Sequence, residues 1–283
     1  MNLWKVELIL LFRSWRGWSL LTLFLLASIM SLITGYFLDK ADALAQLPYA
    51  DVIELYMSFV IPAYILFIGL VVSSMSFDSN QNLSIFLRMR FSFKKILLTK
   101  LVIYVLLNEI LFLIAFGITF VLSMIMFDTS DAISGKWFLI GFLFNIFGSI
   151  FWICLITFTS AAFKSTVASL LLTLALVIGY PILVGIATPL ELAARGLSET
   201  PQNEWNNVSY VAKINNWWPT NTSDTISFLT VTNSEIAADT VNLTNFQDTE
   251  LDPWFRLKPL IVSLFVGPLL WLYAWRTYSR REI

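Results

Sequence analysis

The stretch "FDSNQNLSIFLRMRFSFKKILLTK", residues 77–100, decides how the rest of the chain is read. It holds five basic side chains, Arg88, Arg90, Lys94, Lys95 and Lys100, against one acid, Asp78. Apolar runs flank it, 55–76 before and 101–127 after. A helix needs roughly 20 apolar residues to cross about 30 Å of hydrocarbon, so each run has the length of a membrane span. The stretch between them is then a loop at a membrane surface.

Working outward, four more runs of this kind occur, at 19–38, 137–163, 165–188 and 257–275. Charged residues make up 13% of the 283 residues, where a soluble domain carries about 25%. Together these predict an all-α, multi-pass membrane protein with six transmembrane helices. Pro62, Pro181 and Pro268 fall inside runs. Neighbouring helices can re-satisfy the backbone groups that proline frees. The fourth and fifth runs are parted only by "TSAAFKSTVAS" around Lys164, which reads as a tight hairpin. Ala43-Leu44-Ala45 offers a small-residue cleavage pattern, but the uncharged core before it is longer than the roughly 7–15 residues of a signal peptide. The first run is therefore read as a retained span.

Basic residues set orientation. With the N-terminus in the cytoplasm, 12 of the 18 Lys and Arg fall inside: Lys5, Arg13, Arg16, Arg88, Arg90, Lys94, Lys95, Lys100, Lys164, Arg276, Arg280 and Arg281. Fifteen of 19 acids fall outside. This predicts a cell-membrane protein with both termini cytoplasmic and the 77–100 loop in the cytoplasm.

Residues 1–18, "MNLWKVELILLFRSWRGW", read as an amphipathic helix lying in the inner interface. Trp4, Leu8, Leu11, Trp15 and Trp18 fall on one stripe, with Lys5, Arg13 and Arg16 opposite. Glu7 breaks the apolar side. The polar segment 189–256 lies outside and is too long for a plain connection. Within it, "TPLELAARGL" (188–197) reads as a helix ending near Gly196, and "NNWWPTN" (215–221) as a turn that brings tryptophans to the outer membrane surface. Asn207, Asn221 and Asn242 head glycosylation sequons there, while Asn82 heads one in the cytoplasmic loop. The final segment, 257–283, joins the sixth span to a basic tail.

No phosphate loop, G-x-S-x-G or H-E-x-x-H motif occurs, and the chain has no His. No metal site is expected, and the lone Cys154 sits in an apolar run as a small hydrophobe. Glu109 is the one acid within a span. An ionisable group at that depth is a functional candidate. Its plainer role is a protonated or hydrogen-bonded side chain facing a neighbouring helix, near Asn108 or Asn145. Spacings of three and four put it on one face with Phe112, Phe116 and Phe120.

Leu83, Phe86, Leu87 and Arg90 follow helical spacing inside the basic loop, which suits a short helix gripped by a soluble partner. The arrangement resembles the permease subunits of type 2 ABC exporters, a family of multidrug, polysaccharide and copper-site-maturation (NosY-like) transporters. Asp78, Leu83, Phe86, Leu87, Ser92 and Lys100 fall on family positions. Gln81, Asn82, Arg90 and Phe93 stand where the family has Gly, Thr, Pro and Arg. Glu7 followed by Arg13, "TFTSAAFKSTVAS" and the tail "RTYSRREI" are similar to further family features. The resemblance implies a coupling helix in 77–100 and short membrane-dipping helices before span six. It also implies a second permease copy or paralogue and two copies of a separate ABC ATPase that carries the ATP and Mg. Leu83, Phe86, Leu87, Arg88, Arg90, Lys94 and Lys95 would then form the ATPase contact. Membrane lipids are expected partners; nucleic acid and cofactors in this chain are not. The rivals are a secondary carrier, a membrane scaffold and, less well supported, an intramembrane enzyme.

The predicted topology has a direct check. A Cys placed at Ser223 should react with a membrane-impermeant thiol reagent in intact cells, and one at Ser84 should not. The opposite pattern would invert the orientation.

Overall fold

The computed structural model describes residues 3–41, 47–77, 90–129, 132–163, 165–196, 209–215, 217–219, 231 and 258–280. Leu83, Phe86, Leu87 and Arg88 of the expected coupling segment lie outside the described residues, as do Asn207, Asn221 and Asn242. Among the described residues the fold is all helix, with no strand. Six helical stretches are long and apolar enough to cross a membrane.

Helix α1 (Leu3–Arg13) is followed by α2 (Trp15–Ala41), the first span. The break falls at Ser14, four residues before the end of the segment expected to lie in the interface. Ser14 Oγ donates to the Leu11 carbonyl, and the Gly17 amide donates back to the Ser14 carbonyl. Trp18 Nε1 reaches the Phe12 carbonyl. A Cβ at position 17 would lie 2.6 Å from the Leu11 carbonyl oxygen, so the two helices meet this closely only because Gly17 has none.

The structure shows which side of α1 meets the bundle. Leu3, Glu7 and Leu11 are buried, whereas Trp4, Leu8 and Trp15 lie exposed on the protein surface. Glu7 is thus the centre of the inward stripe. The tryptophan stripe faces away from the protein, where an interfacial helix meets lipid.

The second span is two helices, α3 (Tyr49–Phe59) and α4 (Ile61–Met75), joined at Val60 with Pro62 in the first turn of α4. Proline is tolerated there because that N–H would lack a helical partner anyway. The third span, α5 (Phe93–Met126), is the longest helix. Its end is tied to the start of α3, since the Tyr49 amide donates to the Asp128 carbonyl and the Asp128 amide to that of Leu47. Helices α2, α3, α4 and α5 share one apolar core that includes Phe24, Tyr56, Phe67, Phe112 and Phe116.

The fourth span, α6 (Gly135–Phe163), packs along its length against the sixth, α10 (Lys258–Arg280). Gly267 lies in this contact, where a Cβ would meet the Phe151 Cα at an ordinary van der Waals distance of 3.7 Å. The fifth span is α7 (Thr166–Leu174), a π-helical turn (Ala175–Gly179) and α8 (Tyr180–Ala194). It extends through the 188–197 stretch read as a separate helix, and ends at Gly196, whose φ of 70° suits glycine. A buried hydroxyl seam holds α7 to α6: Thr159 and Ser160 lie 2.9 and 3.1 Å from Ser169. Beyond that seam the fifth span is little buried, with Leu171, Ile182, Leu183 and Leu190 outward.

The α1–α2 junction yields a prediction. Gly17→Ala should destabilise the purified protein by about 1–3 kcal/mol, the usual cost of forcing an overpacked contact apart. Gly69→Ala, where a Cβ meets nothing within 4 Å, should not. Thermal unfolding in detergent compares the two, and equal midpoints would remove the close-approach argument.

Candidate functional site

Two polar centres interrupt the apolar bundle. The first is at the end where α1, α4, α5 and α10 meet. Lys100 lies on the buried face of α5 with Phe93, Ile96, Leu97 and Tyr104. Its Nζ is 3.0 Å from one Glu7 oxygen and donates to the other at 3.1 Å, with both side chains almost fully buried. It also donates to Ser74 Oγ at 2.6 Å. Next to it, Arg16 donates to Ser73 Oγ at 2.8 Å. One ion pair therefore ties α1 to α5, Ser74 of the last turn of α4 joins it, and Ser73 beside it is tied to Arg16 of α2.

The same end clasps both ends of the basic loop. Phe77, just after α4, packs edge-on against Phe93, the first residue of α5. Tyr278 of α10 stacks on Phe93 and meets Phe77 edge-on, and its hydroxyl donates to the Met75 carbonyl at 2.9 Å. Lys94 lies over the Trp275 ring and Lys95 over the Phe91 ring, both with exposed side chains. Arg90 is exposed at the described edge of the loop. Of the seven residues expected to meet an ATPase, these three are described, at one end of the bundle.

The second centre is Glu109. It is 16 residues from the start of α5, about 24 Å along a helix of roughly 51 Å. That is near the middle of the helix. Its Oε2 accepts from Asn145 Nδ2 at 3.0 Å, and its Oε1 lies 2.8 Å from Ser149 Oγ. Asn108 Nδ2 is 3.4 Å from Oε1 and 2.9 Å from Ser149 Oγ. Asn145 and Ser149 are one turn apart on α6, so the cluster joins the third and fourth spans. Phe112 and Phe116 continue the same face of α5 and stack on each other.

No family model, no curated protein and no solved structure matches this chain.

The segment before the sixth span supplies a third element. Helix α9 (Tyr210–Asn215) starts beside Glu191 of α8, which accepts from the Tyr210 amide at 3.1 Å and pairs with Arg195. From there the chain runs inward. Trp218 reaches Tyr180, with ring centroids 4.5 Å apart, and also meets Phe151 and Trp152. Gly148, close to the Pro219 carbonyl, is 13 residues from the start of α6, about 20 Å along it. Residues 209–219 thus descend to mid-span depth. The sequence reading had put these tryptophans at the membrane surface. Trp217 is exposed, but Trp218 sits between the fourth and fifth spans.

Among the described residues no group of three or more His, Cys, Asp or Glu converges as a metal site would require. The Glu7–Lys100 pair was missed from sequence, although two signals were present. Each is a lone charge on an otherwise apolar helical stripe, of opposite sign and on the same side of the membrane.

Removing one partner of a buried pair strands the other. Lys100→Met should cost about 3–5 kcal/mol of stability, and Glu7→Leu/Lys100→Met should recover most of that. Thermal unfolding of the two variants decides: a double variant as unstable as the single would show that packing, not charge, sets the cost.

Proposed function

We propose that this chain is the transmembrane permease subunit of an ATP-binding-cassette transporter, working as an exporter in the cell membrane. A separate ATPase, in two copies with its own ATP and Mg, grips the 77–100 loop from the cytoplasm. A second permease copy or paralogue completes the pathway. Both termini are cytoplasmic, and residues 189–256 face outward.

The observation that carries this reading is the clasp at the loop's two ends. Phe77 and Phe93 touch each other and both touch Tyr278. Lys100, two turns beyond Phe93, is bonded to Glu7 and Ser74. A push on the loop would reach α1, α4, α5 and α10 together and move them as a body. Such a lever suits an energy source outside the membrane, because rigid-body motion of helices is how a bound partner's closure becomes a change of access. A passive scaffold has no need of a loop wired to four helices. The inward-running 209–219 segment agrees with the membrane-dipping helices that the family resemblance implies. Arg88, Arg90, Lys94 and Lys95 would match acidic groups on the ATPase and fix its register.

Phe86→Asp together with Leu87→Asp should abolish co-purification of an ATPase while leaving membrane insertion intact, because buried apolar anchors dominate such contacts. Undiminished recovery of the ATPase would remove the coupling role of this loop. Absence of any ATPase from wild-type preparations would favour a carrier or scaffold.

A further inference from the structure

The Glu109 cluster poses a problem of counting hydrogens. Ser149 Oγ lies 2.8 Å from Glu109 Oε1 and 2.9 Å from the Asn145 carbonyl oxygen. Both are acceptors when Glu109 is ionised, and the Ser149 hydroxyl has one hydrogen to divide between them. The neighbouring Asn108 Nδ2, at 2.9 Å, donates to Ser149 and adds nothing for the second acceptor. With a carboxylate, Oε1 therefore shares its one close hydroxyl donor.

A proton on Oε1 ends that sharing without moving a heavy atom. The Glu109 hydroxyl then donates to Ser149 Oγ, Ser149 donates to the Asn145 carbonyl, and Asn145 Nδ2 still donates to Oε2.

Among the described residues no Lys or Arg pairs with Glu109. The groups facing it are Asn108 on its own helix, Asn145 and Ser149 on α6, and on α4 Tyr64, the titratable neighbour within electrostatic range. Asn145 and Ser149 are only half buried. The Pro219 carbonyl of the inward-running turn approaches α6 at Gly148, next to Ser149. Irregular polar backbone at that depth is tolerated where it is buried in protein or lines water.

We propose that Glu109, with Ser149 and Asn145, forms an exchangeable proton-binding site midway along the third span. Hydronium gives its proton to Glu109 Oε1 and leaves as water, and the side chain goes from −1 to neutral. The site does not rest on the transporter reading and would operate in a carrier equally well.

Infrared spectra of the purified protein in vesicles, taken at stepped pH, test it. The wild-type protein should show an acid carbonyl band that grows as pH falls and is lost in Glu109→Gln. Ser149→Ala should shift that band to higher frequency, because the hydroxyl loses its acceptor. Glu109→Gln keeps an oxygen and an amide in place, and its elution on size exclusion confirms folding. Identical bands in wild type and Glu109→Gln, or a Glu109 band of constant height at every pH, would overturn the proposal.

Discussion

One buried ion pair organises the end of the bundle on which everything else in the proposed mechanism depends. Lys100 and Glu7 are both charged and both almost completely out of water. Such a pair gains little stability over an apolar replacement, because desolvation offsets the attraction. What it does supply is placement. A short helix such as α1, attached to the bundle by two leucines, could slide or rotate with little penalty. A carboxylate that must meet one particular ammonium cannot. The pair fixes the register of α1 on α5, and Ser74 extends that register to α4. Tyr278 then locks α10 through its hydroxyl and ring.

The two polar centres answer to different constraints. At the Glu7–Lys100 centre the charges neutralise each other, so no exchange with solvent is needed. At the Glu109 centre there is no counter-charge among the described residues, and the stabilising groups are amides and a hydroxyl. A lone carboxylate at mid-depth is costly, whereas a carboxylic acid with the same partners is a neutral hydrogen-bonded group. The first arrangement makes a fixed joint and the second makes a site with two states.

Much of the fold was legible in the sequence because a membrane imposes length. Six runs of about 20 apolar residues have few other uses. Span ends were less legible. Hydropathy puts the start of the second span at 55, yet the helix begins at Tyr49, because Asp51 and Glu54 lie near the membrane end where hydropathy falls before helicity does. Glu109 stood out as the one acid within a span. Its partners Asn145 and Ser149 did not all stand out, since a serine in an apolar helix ordinarily bonds its own backbone. The protein-facing side of α1 was not legible from sequence, because only the position of Lys100 makes Glu7 the buried member.

The fifth span shows how a local irregularity reaches a distant contact. Pro181 has no amide hydrogen to give the carbonyl one turn earlier, and an unbroken α-helix would clash there. The π-helical turn at Ala175–Gly179 widens the helix just before it, and the Tyr180 amide bonds the Ala175 carbonyl five residues back. Such insertions are common where a helix is shaped by function rather than by packing. Here the widened turn leads directly into Tyr180, whose ring meets Trp218 at mid-depth. The hydroxyl seam at Ser169 and Thr173 lies on one side of the irregular turn and the aromatic contact on the other. The span is therefore fastened to α6 below the turn and to the inward-running segment above it. Leu170, Leu174 and Val177 also pack against the core that α2 to α5 share. Past that contact the span is loosely buried, so in the proposed mechanism its outer half would be free to follow when the clasped helices move.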